Sequence, residues 1–316
     1  MNKRHIFIDG ASGTTGLQIR DRLTRHPGVK LIDIDHSSRR EVEARYRMMR
    51  AADVTILCLP DDAARDAVAL AADAGCRLLD ASSAHRIADG WTFGLPELHP
   101  GQRAQIRDAA RVSNPGCYAT GAILLLRPLV DAALLQADRE YAVTAVSGYT
   151  GGGNRLIERY EAAGAHAPAF AAYGLDFGHK HVPEIAKWSG LGRVPCFLPA
   201  VGNFRQGMLV CVQLDDLPGV RANDLHHGLS TFYANERCVR VRPYGETDPE
   251  TAPFLTPHEM EGSNHVDLYV FGPRDGCRAL LVAKLDNLGK GASGAAVQNL
   301  NIMLGLDEHT ATVLER

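Results

Sequence analysis

Residues 5–16 read HIFIDGASGTTG, a short apolar stretch followed by a loop with three glycines. The apolar stretch predicts a β-strand, and the helical spacing of apolar residues over 17–23 predicts a helix directly after the loop. A strand, a glycine turn and a helix in this order direct free backbone N–H groups and the positive end of a helix dipole toward an anion. The spacing G-x-x-G-x-x-G is a variant of the dinucleotide-binding fingerprint. Taken by itself, the motif could also be a plain turn between a strand and a helix. The candidate cofactor-binding residues of this loop are Gly10, Ser12, Gly13, Thr14, Thr15 and Gly16.

The next segments repeat the strand-and-helix pattern. Strands are predicted over residues 29–35, 52–60 and 77–81, and an alanine-rich helix over 63–74. The stretch ADVTILCLP is nearly all apolar, as expected of a parallel strand buried on both faces. Alternating strands and helices with short loops predict a doubly wound α/β domain of the Rossmann type, whose ligands bind at the carboxyl ends of the strands. The candidate cofactor-binding residues at those ends are Cys58, Leu59, Pro60 and Ser82.

The choice of dinucleotide depends on the residues after the second strand. Asp35 is followed by HSSRR, which supplies hydroxyls and guanidinium groups suited to the 2′-phosphate of NADP. We therefore expect NADP(H), held by Ser37, Arg39 and Arg40. Asp35 keeps NAD as an alternative, because an acid at this position binds ribose hydroxyls, and the arginines could instead begin an exposed helix.

Composition limits the class of protein. The chain has 316 residues, enough for two domains, and a net charge of -3, which gives no reason to expect nucleic acid or membrane binding. The apolar runs are too short to span a membrane, and the first residues lack the pattern of a signal peptide. Seven cysteines are scattered without C-x-x-C pairs, which argues against a disulfide framework or a zinc site and favours a reducing cytoplasm. A free, reactive thiol is therefore allowed.

One cysteine lies in a distinctive setting, SNPGCYATGAILLL at residues 113–126. The Pro-Gly turn and the apolar run over 119–129 predict that Cys117 lies at or just before a helix N-terminus, where the dipole lowers a thiol pKa. The alternative is a small buried hydrophobe, the commonest role of a free cysteine. Position alone does not decide between them.

A thiolate nucleophile needs an acid/base partner and a means of holding the acyl group. The glycine cluster AVSGYTGGGN at 145–154 is a candidate for the second function. Further on, FGHKHVPEIAKW contains His179 and His181, which would share one face of an extended segment, followed by Pro183 and Glu184 at the start of a helix. Either histidine could act as the acid/base. A metal site is the alternative, but no third ligand cluster accompanies the pair.

Taken together, GASGTTG, SNPGCYATG, SGYTGGG, GHKHVPEI and LDNLGKGASGAAVQNLNIMLG resemble the N-acetyl-gamma-glutamyl-phosphate reductases of arginine biosynthesis, in their shorter form. The aspartate-semialdehyde dehydrogenases are more distant relatives. The resemblance implies NADPH-dependent reduction of N-acetyl-L-glutamyl 5-phosphate to the 5-semialdehyde and phosphate, with Cys117 as nucleophile and a cysteinyl thioester as intermediate. It implies His181, or else His179, as the acid/base. No metal is expected, because no third ligand cluster accompanies the two histidines.

The resemblance also implies a two-domain plan. Residues 1–118 would form the NADP-binding domain, completed by a C-terminal helix within 286–316. Residues 119–285 would form an α+β domain for substrate binding and oligomerisation, as a homodimer or homotetramer. Strands predicted over 141–146, 207–214, 239–242, 265–271 and 279–285 fit a mixed or antiparallel sheet there.

Further site residues follow from the resemblance alone. Arg86 would bind the phosphate, although Ala84-His85 departs from the Ser-Ala-Asp-Phe-Arg-like run of many members. Gln206 is inserted after Arg205 where many members run directly from Arg into Gly. The implied cofactor-binding residues of the C-terminal segment are Asn287, Gly289 and Lys290. The implied substrate-binding residues are Arg86, Asn114, Ser147, Gly148, Tyr149, Glu184 and Arg205.

Alternatives remain at this point. The same chemistry could act on N-acetyl-aminoadipyl phosphate or aspartyl phosphate, since one methylene changes binding little. An NADP-binding sensor with a structural or redox-active Cys117 is a different class, and so is a Cys–His hydrolase, for which the nucleotide loop would be superfluous.

Overall fold

The computed structural model describes residues 3–35, 37–247, 252–273 and 276–312. These fall into two compact units. Of the described residues, the first unit contains those within 3–96, 101–115 and 292–312, and the second contains those within 97–100 and 116–291. The chain thus passes into the second unit between Pro115 and Gly116, three residues earlier than the predicted boundary at 118/119. The helix that begins at Cys117 packs on the second sheet, which explains this position.

The first unit contains a six-stranded sheet in which all neighbouring strands are parallel. The strand order is β2-β1-β3-β4-β6-β5, which confirms the predicted doubly wound Rossmann-type fold. Its elements before the second unit are β1 (Arg4–Asp9), α1 (Thr14–Thr24), β2 (Val29–Ile32), α2 (Val42–Ala51), β3 (Val54–Leu57), α3 (Asp61–Ala74), β4 (Arg77–Asp80), β5 (Thr92–Phe93), α4 (Gln102–Asp108) and β6 (Arg111–Ser113).

The alternation of side chains along β1 explains why helices cover both faces of this sheet. Ile6 and Ile8 pack in a cluster with Ile19 of α1, whereas Phe7 packs on the other side with Met49 of α2. A strand that is apolar on both faces must be covered on both, as in other parallel sheets. β2 ends at Ile32, three residues earlier than predicted.

The second unit contains a seven-stranded mixed sheet in the order β11-β12-β13-β10-β7-β9-β8. The β7/β9 and β11/β12 pairs are parallel and the others antiparallel. Its elements are α5 (Cys117–Asp131), β7 (Ala142–Gly148), α6 (Gly153–Ala163), β8 (Phe170–Ala172), α7 (Val182–Trp188), β9 (Cys196–Gly202), β10 (Met208–Leu214), α8 (Ala222–Phe232), β11 (Val239–Val241), β12 (Val266–Phe271) and β13 (Ala279–Leu285).

Helix α5 is the central helix of the second unit. Its residues from Ala122 to Leu126 are fully buried, and it packs against β10 and β13. Gly121 allows α5 to approach β10 and β13 closely, because a Cβ there would lie 2.8 Å from Val210 Cγ2 and 3.3 Å from Ala283 Cβ. The first residue of α5 is thereby fixed relative to the sheet.

The chain then returns to the first unit as α9 (Gly294–Leu304), which follows a π-helical turn over Gly289–Ser293. Ala296, Val297 and Leu300 are fully buried in the same cluster as Ile6 and Ile19. The predicted C-terminal helix that completes the nucleotide-binding domain is therefore present. None of the helices in the described part of the chain is both long and apolar enough to cross a membrane.

Candidate active site

Cys117 is the first residue of α5, in the second unit. Gly116 precedes it in an extended conformation, with φ −80° and ψ 151°, and its N–H donates to Glu184 Oε1 at 2.7 Å. Glu184 is 1% exposed and lies in the first turn of α7. The carboxylate therefore anchors the turn before the cysteine, and the sulfur lies at a helix N-terminus as predicted.

Gly291 lies against Cys117. A Cβ at Gly291 would be 2.7 Å from Cys117 Cβ and 3.0 Å from the Asp286 carbonyl oxygen. The Gly291 N–H donates to that same oxygen at 2.9 Å. The π-helical turn before α9 therefore reaches the cysteine by backbone alone, which is the kind of local irregularity often found at functional sites.

The two histidines meet in a turn and not in an extended segment, which corrects the prediction that they share one face of a strand. Val182 N–H donates to the His179 carbonyl at 2.9 Å, and His181 has helical backbone angles, φ −84° and ψ −13°. The ring centroids of His179 and His181 are 4.7 Å apart. The turn thus brings both rings together at the start of α7, as a strand would not.

Hydrogen bonding distinguishes the two imidazoles. His181 N–H donates to His179 Nδ1 at 3.1 Å, so the hydrogen of a neutral His179 ring is on Nε2. His181 is buried, 4% exposed, whereas His179 is half-buried. The role of acid/base for either histidine stays a prediction.

Two tyrosines complete the cluster, and sequence reasoning missed both. Tyr118 donates from its hydroxyl to the Ala200 carbonyl at 2.9 Å, and the Tyr173 hydroxyl donates to the Tyr118 hydroxyl at 3.3 Å. Their rings lie 5.7 Å from His181 and 5.6 Å from His179, respectively. Tyr118 stands beside the cysteine in the quoted motif, but no local pattern marks Tyr173.

Burial is the largest cause that raises the pKa of Tyr173 to about 12; the hydrogen bond to Tyr118 lowers this pKa, and the charge of Cys117 raises it. Burial is also the largest cause that raises the pKa of Tyr118. Both hydroxyls therefore stay protonated at neutral pH and can donate hydrogen bonds.

The glycine-rich segment after β7 is held by the backbone of residues 204–206. Tyr149 N–H donates to the Phe204 carbonyl at 2.9 Å, and a Cβ at Gly148 would lie 2.5 Å from the Arg205 carbonyl oxygen. Ser147 is buried at the end of β7, whereas the ring of Tyr149 stacks on Tyr160 at 5.2 Å.

The Arg205 side chain, predicted to bind substrate, forms an exposed ion pair with Glu161 at 2.5 Å.

The side chains of Asn287 and Lys290, predicted to bind the cofactor, form hydrogen bonds or ion pairs with residues of the second unit. Asn287 accepts the Gly207 N–H at 2.9 Å and donates to Thr150 Oγ1 at 3.0 Å. Lys290 contacts both carboxylate oxygens of Glu97 at 2.8 Å. A Cβ at Gly289 would lie 2.0 Å from the Ser263 carbonyl oxygen. Contact with a cofactor for these residues stays a prediction.

The glycine loop after β1 has the close backbone approaches of a phosphate-binding turn. Gly10 has φ +89°, and a Cβ there would lie 2.4 Å from the Cys58 carbonyl oxygen. A Cβ at Gly16 would lie 2.8 Å from the Gly10 carbonyl oxygen. Gly13 precedes α1, and its neighbours Ser12, Thr14 and Thr15 keep exposed surface. The loop therefore fits the phosphates of a dinucleotide.

The other predicted cofactor residues of the first unit surround the carboxyl ends of its strands. Ser37, Arg39 and Arg40 lie in an exposed turn between β2 and α2. Cys58, Leu59 and Pro60 connect β3 to α3. Burial, the largest cause, raises the pKa of the Cys58 thiol to about 12, so this cysteine remains a thiol. Ser82 follows β4 and is buried.

Arg86 and Asn114 lie together in the first unit. Arg86 is 8% exposed, and its Nε donates to the Asn114 carbonyl at 3.1 Å. The Asn114 side chain donates to the Ala292 carbonyl at 3.0 Å and accepts from Asn299 Nδ2 at 3.1 Å. Among the described residues, no group of three or more His, Cys, Asp or Glu side chains could hold a metal ion.

Comparison with known proteins identifies the family. The semialdehyde dehydrogenase NAD-binding domain matches residues 5–106, and the semialdehyde dehydrogenase dimerisation domain matches residues 117–287. "N-acetyl-gamma-glutamyl-phosphate reductase 2" from Nostoc sp. is 48% identical, over 98% of this chain and 99% of that protein. "N-acetyl-gamma-glutamyl-phosphate reductase" from Chelativorans sp. is 47% identical, over 95% and 97%.

Solved structures share the fold. Aspartate semialdehyde dehydrogenase II from Vibrio cholerae has a TM-score of 0.72 at 17% identity, covering 96% of this chain and 99% of that one. Aspartate semialdehyde dehydrogenase with NADP from Candida albicans has a TM-score of 0.67 at 14% identity, with coverages of 96% and 99%. The relatives that are 47–48% identical over nearly the whole chain identify the subfamily. This chain belongs to the N-acetyl-gamma-glutamyl-phosphate reductases, within the semialdehyde dehydrogenase family.

Proposed function

We propose that this protein reduces N-acetyl-L-glutamyl 5-phosphate with NADPH to N-acetyl-L-glutamate 5-semialdehyde and phosphate. The observation that carries the proposal is Cys117 at the N-terminus of α5, with the buried His181 and the half-buried His179 packed around the neighbouring Tyr118. Its relatives carry the name of this reaction over nearly the full length of the chain. A carboxylate resists hydride addition, whereas an acyl phosphate is open to attack by a thiolate.

The chemistry divides into two steps at Cys117. The thiolate attacks the acyl carbonyl carbon, the bond from that carbon to the phosphate oxygen breaks, and a thioester remains. NADPH supplies, when bound, the hydride that reduces this thioester. His181 gives a proton to the oxygen of the reduced carbon and removes it again as the carbon–sulfur bond breaks, which releases the aldehyde and restores the thiolate. Backbone N–H groups at the start of α5 would stabilise the oxyanion.

The residues of the first unit fit NADP(H). The loop of Gly10, Gly13 and Gly16 would hold the diphosphate through backbone N–H groups, because Cβ atoms at its first and third glycines have no room. Arg39 and Arg40 lie exposed after β2 and would bind a 2′-phosphate. Arg86 would bind the phosphate of the substrate, since a guanidinium is always charged and matches its geometry.

The test is NADP⁺ reduction in the reverse direction, with inorganic phosphate and one semialdehyde at a time. We expect turnover with N-acetyl-glutamate semialdehyde to exceed that with aspartate semialdehyde or N-acetyl-aminoadipate semialdehyde. Cys117→Ser should lose at least about a thousandfold in kcat and still bind NADPH. Near-native turnover by this variant would exclude the thioester, and a preference for aspartate semialdehyde would overturn the substrate.

The same proposal includes a homodimer formed through the second sheet. Helix α5 packs on one face of that sheet, and the other face keeps partly exposed Val146, Leu209 and Cys211, with Leu198 39% exposed. These strands lie within the region matched by the dimerisation domain. An apolar sheet face of this kind is stabilised when a second copy covers it.

Leu198→Asp should therefore shift the protein from dimer to monomer in light scattering after size exclusion. Phe254→Asp makes the same chemical change at a 72% exposed side chain outside these strands, and should leave the mass unchanged. A dimer that survives Leu198→Asp at micromolar concentration would contradict this interface. A mass of four chains in the native protein would mean that two such dimers associate through another surface.

We also place the enzyme in the cytoplasm. No disulfide joins any of the seven cysteines, all of which lie in the described part of the chain, and a thiol nucleophile is retained best in a reducing compartment.

A further inference from the structure

A histidine is buried at the carboxyl end of β4, directly before the arginine that we propose as the phosphate ligand. His85 is 8% exposed, and its Nδ1 lies 2.6 Å from Oδ2 of Asp80, the last residue of the strand. Asp80 is fully buried. Ligands of open parallel sheets bind outside this edge, so the pair lies at the functional end of the first unit.

The Asp80 carboxylate accepts hydrogen bonds from two residues of the turn that follows, Ser82 and His85. Besides His85, Ser82 donates its backbone N–H to Oδ1 at 2.9 Å and its hydroxyl to Oδ2 at 2.7 Å. A carboxylate only accepts, so the hydrogen of the histidine pair is on Nδ1. Hydrogen bonds to a buried charge are among the strongest in a protein, and they leave the turn little freedom.

The face of the imidazole is fixed as well as its edge. His85 stacks on Trp91, with ring centroids 4.2 Å apart and planes 14° from parallel. The ring is therefore held by Asp80 at one nitrogen and by an indole over its face. Its backbone carbonyl accepts the Ala88 N–H at 3.3 Å.

Arg86 is linked to the same aspartate by a second route. Arg86 Nε donates to the Asn114 carbonyl at 3.1 Å, and Asn114 N–H donates to the Asp80 carbonyl at 2.7 Å. Asp80 thus holds Asn114 through its backbone and His85 through its side chain. Two neighbouring residues, His85 and Arg86, are tied back to one strand end.

We propose that His85 is a positioning residue, whose hydrogen bond to Asp80 sets the place from which Arg86 binds the phosphate of the substrate. His85 does not itself touch the substrate. The inference rests on the proposed function, because it requires a phosphate at Arg86. Loss of the bond lets the turn relax and weakens phosphate binding more than it changes cofactor binding.

Three substitutions separate the two contacts of the ring. His85→Asn retains an N–H donor near the position of Nδ1 but loses the stacking. His85→Phe retains the stacking on Trp91 but loses the donor. His85→Gln offers a donor one bond further along the side chain. The expected result is a KM for inorganic phosphate, in the reverse reaction, that rises about tenfold in the Phe and Gln variants and about twofold or less in the Asn variant. The KM for NADP⁺ should stay within about twofold in all three.

A merely structural role would lower the melting temperature and affect both KM values alike, with Asn no better than Gln. That pattern, or an unchanged KM for phosphate in His85→Phe, would overturn the inference. If His85→Phe does not fold, the Asn and Gln pair decides alone. If the wild-type protein itself fails to reduce NADP⁺ with N-acetyl-glutamate semialdehyde and phosphate, the proposed function is wrong. If the wild type is active and the variants keep its KM for phosphate, only the role of His85 is wrong.

Discussion

At the residue scale, Gly291 shows how a position without a side chain controls the cysteine. Gly291→Ala would place a Cβ 2.7 Å from Cys117 Cβ and 3.0 Å from the Asp286 carbonyl oxygen, so the cysteine or the π-helical turn must shift. A displacement of about 1 Å at a nucleophile costs about a hundredfold in rate. We expect kcat to fall by about that factor while the Kd for NADPH, measured by fluorescence, changes less than about twofold.

Gly192→Ala is the matched control for this change. Its Cβ would meet the Ala137 carbonyl oxygen at 3.6 Å, an ordinary contact distance, so its kcat should equal that of the wild type. Equal kcat in Gly291→Ala would show that the turn yields without cost and that the close approach has no catalytic consequence.

The sequence alone marks Cys117, His179 and His181 as candidates, because turn and helix signals stand directly beside them; their catalytic roles stay predictions. Tyr173 could not be found, because it reaches Tyr118 only through the pairing of distant segments. The resemblance implies that Lys290 lines the cofactor cleft, and that role stays a prediction. No signal in the sequence marks its ion pair with Glu97, which lies 193 residues away in the sequence.

At the scale of elements, this buried ion pair joins the turn before α9 to the short segment 97–100. Both side chains are fully buried. Removing one partner leaves the other charge buried without its counter-ion, so Lys290→Met should lower the free energy of unfolding by about 3–5 kcal/mol. Urea denaturation in the absence of cofactor measures this effect.

The double substitution Glu97→Leu with Lys290→Met tests the reason. Two apolar side chains of similar volume need no counter-charge, so the double variant should recover most of the lost stability. A double variant as unstable as Lys290→Met would show that the loss comes from packing and not from the unpaired charge.

The elements with clear periodicity were predictable, and those set by distant partners were not. β1, β3 and β4 lie within a few residues of their predicted bounds. β9 was missed because Pro199 interrupts the stretch CFLPAVG, and proline lacks the N–H that a strand usually supplies. It forms because β7 and β8 pair on either side of it. β5 and β6 have two and three residues and carry too little pattern to detect.

At the scale of the whole molecule, one buried histidine links the stability of the first unit to pH. His26 is 2% exposed, its Nε2 lies 2.9 Å from Asn301 Oδ1 of α9, and its Nδ1 accepts the Gly28 N–H at 3.1 Å. Burial, the largest cause, lowers the pKa of His26 from its usual value of about 6.5. Protonation of Nδ1 would place its new hydrogen against the hydrogen of the Gly28 N–H, and that hydrogen bond would be lost.

The unfolded chain therefore binds this proton more readily than the folded one. Above about pH 6.5, the titration of His26 does not change the free energy of unfolding. As the pH falls below that value, it lowers the free energy of unfolding. The free energy of unfolding should drop more between about pH 7.5 and about pH 5.5 in the wild type than in His26→Gln, which has no titrating ring. Parallel losses in the two proteins would show that other groups cause the acid sensitivity.

The return of α9 to the first unit has a consequence for synthesis on the ribosome. Val297 and Leu300 are part of the same buried cluster as Ile6, so the first sheet lacks part of its core until the last helix has left the exit tunnel. Within the described residues, the second unit lies before residue 292, and all its strands come earlier. Although domains generally fold in the order of their synthesis, here the part translated first must be the part that matures last.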